Sequence, residues 1–330
     1  DELRFARRIA REFGTRHEEL EVRPRPREIL PKLTETFDEP FADSSSIPVW
    51  HVSHLARQSV TVALGGDGGD ELFGGYETYA AYQWARLYRR LPGFLAKNLI
   101  PRVVGRLPVS DAKISFDYKA KRFVAWATRP PEEAHYGWKV IFDAPERDRL
   151  LEGRVGRGTD ALNLFTETYR SFGGKDALAG LMRVDTKIYL PDDILVKVDR
   201  MSMANSLEVR PPLLDYRIVE WASRLPSGFK IRGLRKKTIL RRAVKGIVPD
   251  EILNRKKGGF NVPMAAWLRG ELKEVFRDQL SREHIRAQGV FRPEPVQDLY
   301  RAHLERRADY SRQLWALLVF SLWHDRYFRR

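Results

Sequence analysis

Directly after the apolar run Ser59-Val60-Thr61-Val62-Ala63-Leu64, the chain reads Gly65-Gly66-Asp67-Gly68-Gly69-Asp70-Glu71-Leu72-Phe73-Gly74-Gly75-Tyr76. Gly65, Gly66, Gly68 and Gly69 lack a Cβ, so their amides can turn tightly and approach a phosphate group closely. Asp67 and Asp70 add hard carboxylate oxygens. Beside a phosphate these make sense if Mg²⁺ bridges them, or if one of them contacts a reacting group. The run is not a Walker A loop, because no Lys-Ser/Thr pair closes it, and it is not GxGxxG. A plain reading of the same residues is a strand-to-helix turn with Asp70 as the helix N-cap.

The elements around this loop must hold it in place. Val60 to Leu64 is β-branched and apolar on both faces, which predicts a buried parallel strand ending at Gly65. A helix is expected from about Glu71 to Trp84, its N-terminal dipole aiding an anion at the loop. Upstream, helical spacing covers Leu3 to Phe13, Pro26 to Phe37 and Ile47 to Arg57, and Leu20 with Val22 suggests a short strand. After about residue 90 candidate helices dominate: Asp160 to Arg170, Ala177 to Tyr189, Tyr216 to Leu225, Lys237 to Val244, Pro295 to Glu305 and Arg312 to Asp325. The expected class is α/β, with a parallel sheet in residues 1–90 and a mainly helical region over 91–330.

Further along stand Leu190-Pro191-Asp192-Asp193, Asp199-Arg200-Met201-Ser202-Met203 and Glu208-Val209-Arg210-Pro211-Pro212-Leu213-Leu214-Asp215. Asp199 with Arg200, and Glu208 with Arg210, read as interior ion pairs that fix helix packing, and they stay outside the candidate site. Lys237-Thr238-Ile239-Leu240-Arg241 opens a helix, with Lys236 as a rival ammonium. From Lys230 to Lys257 eleven Lys/Arg face two acids, so nine of the net +15 sit in one segment. That segment runs through Arg255-Lys256-Lys257-Gly258-Gly259-Phe260-Asn261-Val262-Pro263, a loop that either closes over a ligand or holds the helical region.

Composition narrows the field. The chain has 330 residues, 43% hydrophobic and 31% charged, with no cysteine, so thiol nucleophiles, disulfides, Cys-ligated zinc and iron–sulfur clusters are excluded. No stretch approaches the roughly 18–20 apolar residues of a membrane helix, and no secretory leader is read at Asp1-Glu2-Leu3. The excess of basic residues suggests an anionic partner. A nucleic-acid-binding module is the rival reading, but the basic run lacks the interleaved aromatics of a single-strand platform.

Taken together, the loop and these segments resemble the asparagine synthetase family, whose motifs read SGEGxDExFGGY, LPDDxLxxxDRxSM, EVRxPxLD, KxILR and RxKxGFxxP. The resemblance covers essentially the whole chain. It implies a nucleotide-binding domain of the adenine-nucleotide-hydrolase-like (PP-loop ATPase) type and a cytoplasmic ligase using ATP and Mg²⁺. In such enzymes the side-chain carboxylate of aspartate is activated as an acyl-adenylate with release of pyrophosphate, and ammonia from a glutaminase domain then attacks. Carried over by motif position, Gly65 and Gly66 lie at the nucleotide, Asp70 at the metal, Asp67 by the acyl-adenylate and Lys237 at the pyrophosphate. The departures are informative. The family's first phosphate loop, SGGxDS, has no counterpart here, its usual Glu is Asp67, and its usual Ser is Gly65. The glutaminase domain is also absent, so the resemblance implies a C-terminal part of a longer synthetase. Relatives with these motifs also amidate other carboxylates or form β-lactams and cyclic peptides. A strand stripped of sheet neighbours would expose apolar surface, so poor solubility or oligomerisation, most simply a homodimer, is expected of the isolated part.

Overall fold

The computed structural model describes residues 3–19, 21, 26–109, 116–153, 160–255 and 262–328. Packing groups the chain into two units, each discontinuous in sequence: residues 1–23, 48–83 and 172–261 form one, and residues 24–47, 84–171 and 262–330 the other. Residues 48–83 thus share a unit with 172–261, although sequence pattern assigns them to different regions.

Helices dominate both units. In the first, Leu3–Phe13 is helical as expected and ends at Gly14, whose φ of 60° closes a helix without strain. Two short strands, β1 (Val62–Leu64) and β2 (Glu208–Arg210), pair in parallel with Val62 opposite Glu208 and Leu64 opposite Arg210. A long crossover therefore brings the Glu-Val-Arg segment beside the strand that feeds the glycine-rich loop. β1 is shorter than its sequence run and is not buried: Val60, Val62 and Leu64 are 44%, 39% and 75% exposed. β2 is its one hydrogen-bonded neighbour among the described residues, and the alternating valines and Leu64 lie open to solvent. The suggested strand at Leu20 and Val22 falls on residues outside those described.

The helix expected over 71–84 is two helices, Gly69–Phe73 and Glu77–Tyr88. Gly74, at φ 74°, ends the first, and the Gly75 N–H donates back to the Asp70 carbonyl at 2.8 Å. A side chain at Gly74 would also collide with Ile231, so glycine is required there twice over. Further on, Ala177–Val184 runs into a π-helical stretch, Asp185–Leu195, before Val196–Met203 resumes α-helical winding. Pro191 lies inside that stretch, where its missing N–H and bulky ring suit a widened turn better than a regular α-helix.

Leu72 and Phe73 bury against Ala222 together with Leu213, Leu214, Ile218, Val219, Ile239 and Leu240. The short helix after the loop is thereby pinned to the Tyr216–Arg224 and Thr238–Ala243 helices. Behind them Lys230 is buried at 5% exposure, and desolvation pushes its pKa down to about 8, with Asp176 working in the opposite direction. Between that value and the ordinary 10.5 the unfolded chain binds more protons, so stability rises with pH across this window and the penalty is fully present below it. Lys230→Met should remove the penalty. In urea unfolding it is expected to be about 1–3 kcal/mol more stable than wild type near pH 7, the difference shrinking toward about pH 10.

In the second unit, Pro26–Phe37 packs along Ser311–Phe328, burying Ile29, Leu30, Leu33 and Phe37, with Leu314, Trp315, Leu317 and Leu318 buried on the long helix. Arg326 meets Glu35 at 3.1 Å, and the Trp323 Nε1–H donates to the Asp38 carbonyl at 2.9 Å. The apolar C-terminal segment is thus core. No helix among the described residues is long and apolar enough to cross a membrane.

Candidate active site

The loop leaves the sheet at Gly65, whose N–H donates to the Arg210 carbonyl at 2.9 Å. Asp67 folds back over it: a Cβ on Gly65 would stand 2.7 Å from Asp67 Oδ2 and 3.1 Å from Val209 Cγ1. The two departures from the family pattern at 65 and 67 are therefore neighbours, and a side chain at residue 65 would oblige the Asp67 carboxylate to shift. Gly66 is exposed, with nothing within 4 Å of where a Cβ would stand. Burial pushes the Asp67 carboxyl upward and Asp70 adds to the rise, while a bond from its own backbone amide and the Lys197 ammonium pull it back.

Gly68, at φ 81°, is the N-cap of the Gly69–Phe73 helix, and no side chain caps that end. Asp70 is therefore not the N-cap. The helix has five residues, too short for the sizeable dipole expected of one running to Trp84. Asp70 instead turns to Lys237, whose Nζ lies 2.7 Å from Asp70 Oδ1. Lys237 occupies the N-cap of Thr238–Ala243 with φ 52° and ψ 37°, a left-handed conformation unusual for a side-chain-bearing residue. Its rival is sent elsewhere, since Lys236 pairs with Glu77 at the start of the Glu77–Tyr88 helix. Of the two adjacent ammonium groups, Lys237 is the one the fold brings to the loop.

Behind the loop lies a buried acid–tyrosine cluster that sequence reasoning passed over. Glu71, 1% exposed, accepts a hydrogen bond from the Tyr76 hydroxyl, and the fully buried Tyr79 donates to Asp185 Oδ2 at 2.7 Å. The Tyr76 ring sits 5.8 Å from that of Tyr79 and 5.5 Å from that of Tyr189. Burial pushes the Glu71 carboxyl and both phenols above their ordinary values. The cluster ties the loop's helix and the next one to the π-helical stretch. Lys197 was missed as well. It is buried at the start of Val196–Met203, and the visible signal was a lysine among Ile194, Leu195, Val196 and Val198.

The two expected interior ion pairs are not interior. Asp199 and Arg200 are exposed, and Glu208 with Arg210 forms a solvent-facing contact of 2.6 Å. Alternation along β2 turns Val209 inward and these two outward. Asp215 caps Tyr216–Arg224 by accepting the Arg217 amide and is gripped by the Arg217 side chain, which together hold its pKa down to about 2. Within the basic run Lys230 is buried, Arg241 donates to the Leu253 carbonyl and Arg255 stacks over Phe5 at 5.2 Å, while Arg232, Arg235, Arg242 and Lys245 are exposed. Lys256 to Asn261 of the expected loop lie outside the described residues. Among those described, no group of three or more His, Asp or Glu forms a metal centre.

These features define a mostly helical α/β protein with an acidic, glycine-rich loop at the carboxyl end of a parallel strand, faced by a lysine. The asparagine synthase family model matches residues 1–325, and the chain belongs to that family. It is 34% identical over 299 residues to asparagine synthetase [glutamine-hydrolyzing] 1 of Bacillus subtilis, covering 90% of this chain and 45% of that protein. To a putative asparagine synthetase of Mycobacterium tuberculosis it is 36% identical over 299 residues, covering 89% and 44%. The amidase chyE of Penicillium rubens is 27% identical over 262 residues, covering 70% and 36%. The chain thus spans less than half the length of the curated relatives it matches.

Proposed function

We propose that the intact protein is an ATP-dependent amide ligase of the asparagine synthetase type. The observation that carries this reading is the apposition of Lys237 and Asp70 beside the Gly65-Gly66 turn, in a chain of this family. The open face of Gly66 leaves room for the nucleotide to approach the backbone. The aspartate side-chain carboxylate attacks the α-phosphorus of ATP, the α–β phosphoanhydride breaks, and pyrophosphate leaves. Lys237 neutralises charge gathering on the departing phosphates, an electrostatic contribution of several kcal/mol in the usual case. Asp67 stands beside the acyl-adenylate, where its carboxyl group can orient the incoming amine. Ammonia, supplied from glutamine by a glutaminase domain, then attacks the acyl carbon, giving the amide and releasing AMP. Holding carboxylate and phosphorus in line is the larger part of the protein's work.

The donor set suits Mg²⁺ in its common substrate-borne mode, with one or two carboxylates and the remaining ligands from phosphate and water. Asp70 already accepts a cation, the Lys237 ammonium, which fits that chemistry. When bound, the metal would be held by Asp70 and would withdraw charge from the phosphates.

A second reading keeps the chemistry and changes the acid: a related amidotransferase acting on another carboxylate. It is favoured by the contact between Gly65 and Asp67, which retracts the acid from where a longer side chain would reach, and by the amidase relatives. A nucleic-acid-binding role is disfavoured, because the basic run lacks the interleaved aromatics of a single-strand platform. The test is pyrophosphate release by the intact protein over a panel of carboxylic acids with glutamine. Aspartate is expected to give the highest kcat/KM. A different best acid establishes the second reading, and no release with any acid, alongside salt-sensitive nucleic-acid binding, overturns both.

A further inference from the structure

We propose that Lys237 is the resident counter-ion of Asp70, so that the site takes a divalent cation only as its complex with a triphosphate and excludes the free ion. This rests on Asp70 bearing the metal and Lys237 serving the phosphates.

The geometry is specific to this lysine. Its Nζ lies 2.7 Å from Asp70 Oδ1, with side chains 28% and 18% exposed, well out of bulk water. The pair is seated over Gly75, where any Cβ would overlap both Asp70 Oδ1 and Lys237 Cε. On its other flank Nζ is 3.5 Å from where a Cβ on Gly69 would stand. The backbone of Lys237 is in the left-handed region, and the adjacent Lys236 is committed to Glu77. The ammonium therefore occupies the place at Asp70 that a metal would need.

An ammonium and a divalent ion cannot share one carboxylate oxygen without strong repulsion. A free cation taking Asp70 would leave Lys237 half-buried without its counter-charge, which is costly. A triphosphate removes the conflict, because its oxygens accept Lys237 while the cation it carries takes over Asp70. Every charge is then paired, and the displaced ammonium arrives where charge develops as pyrophosphate leaves. Cation and nucleotide binding are thereby coupled, and the coupling is reciprocal.

The experiment uses Mn²⁺ as the probe, followed by electron paramagnetic resonance on the intact protein. Without nucleotide, wild type should bind Mn²⁺ weakly, and Lys237→Met about tenfold or more tightly. Lys236→Met removes the same charge next door and should match wild type, while Asp70→Asn combined with Lys237→Met should lose the gain. Lys237→Gln, which keeps a polar chain of similar reach, serves if the Met variant fails to fold. With a non-hydrolysable ATP analogue, wild type should bind Mn²⁺ tightly in an Asp70-dependent manner. If it does so while Lys237→Met and Lys237→Gln bind free Mn²⁺ no better than Lys236→Met, the counter-ion proposal is overturned and the metal assignment stands. If Mn²⁺ shows no dependence on Asp70 even with the analogue, the assignment of Asp70 falls and the proposal with it.

Discussion

Replacing Asp70 by Ala, or Lys237 by Ala, in the intact protein is expected to lower ATP–pyrophosphate exchange in the presence of aspartate by about 10²–10³-fold. In the proposed mechanism both groups act where charge accumulates on the leaving pyrophosphate, and neither belongs to the apolar cluster around Leu72 and Phe73. The fold should therefore survive, with urea midpoints modestly lowered because each variant leaves one partly buried charge of the pair uncompensated. The double variant is expected to be little worse than either single one, because each residue is the other's counter-charge in the free protein and, in the proposed mechanism, the two serve one phosphate group. Lys237→Arg should recover little, since a planar guanidinium does not fit where the compact ammonium sits over Gly75. Exchange that persists in both single variants would remove these residues from the site.

Local chemistry was legible in the sequence wherever the deciding neighbours lie close along the chain. A strand ending at Gly65 followed by glycines and two acids can be read as a loop facing a ligand, and Lys237 was selected by its place in a motif. What escaped depends on partners distant in sequence. Tyr79 donates to Asp185, the Lys197 charge acts on Asp67, and Lys236 finds Glu77, none of which local periodicity encodes. The break between the Gly69–Phe73 and Glu77–Tyr88 helices was visible in principle as Gly74-Gly75, yet the apolar spacing on either side reads as one helix. The exposure of β1 was misjudged for a related reason. Apolar residues on both faces signal a strand meant for burial, but not whether the burying neighbours are among the residues at hand.

Gly66 and Gly68 separate a glycine proposed to face the ligand from a structural one. Gly68 has φ 81°, and a Cβ there would overlap the Leu214 side chain in the apolar cluster, so Gly68→Ala combines backbone strain with overpacking. It is expected to lose about 2–4 kcal/mol in urea unfolding. Gly66 lies outside the left-handed region and has nothing within 4 Å of a Cβ, so Gly66→Ala should change stability by no more than about 0.5 kcal/mol. If the nucleotide lies against this turn, the added methyl group occupies its path, and the KM for ATP should rise about tenfold while the unfolding midpoint stays put. A stable Gly66→Ala variant with unchanged KM would mean that the nucleotide does not approach the backbone there, and that the glycines of this loop serve the turn alone.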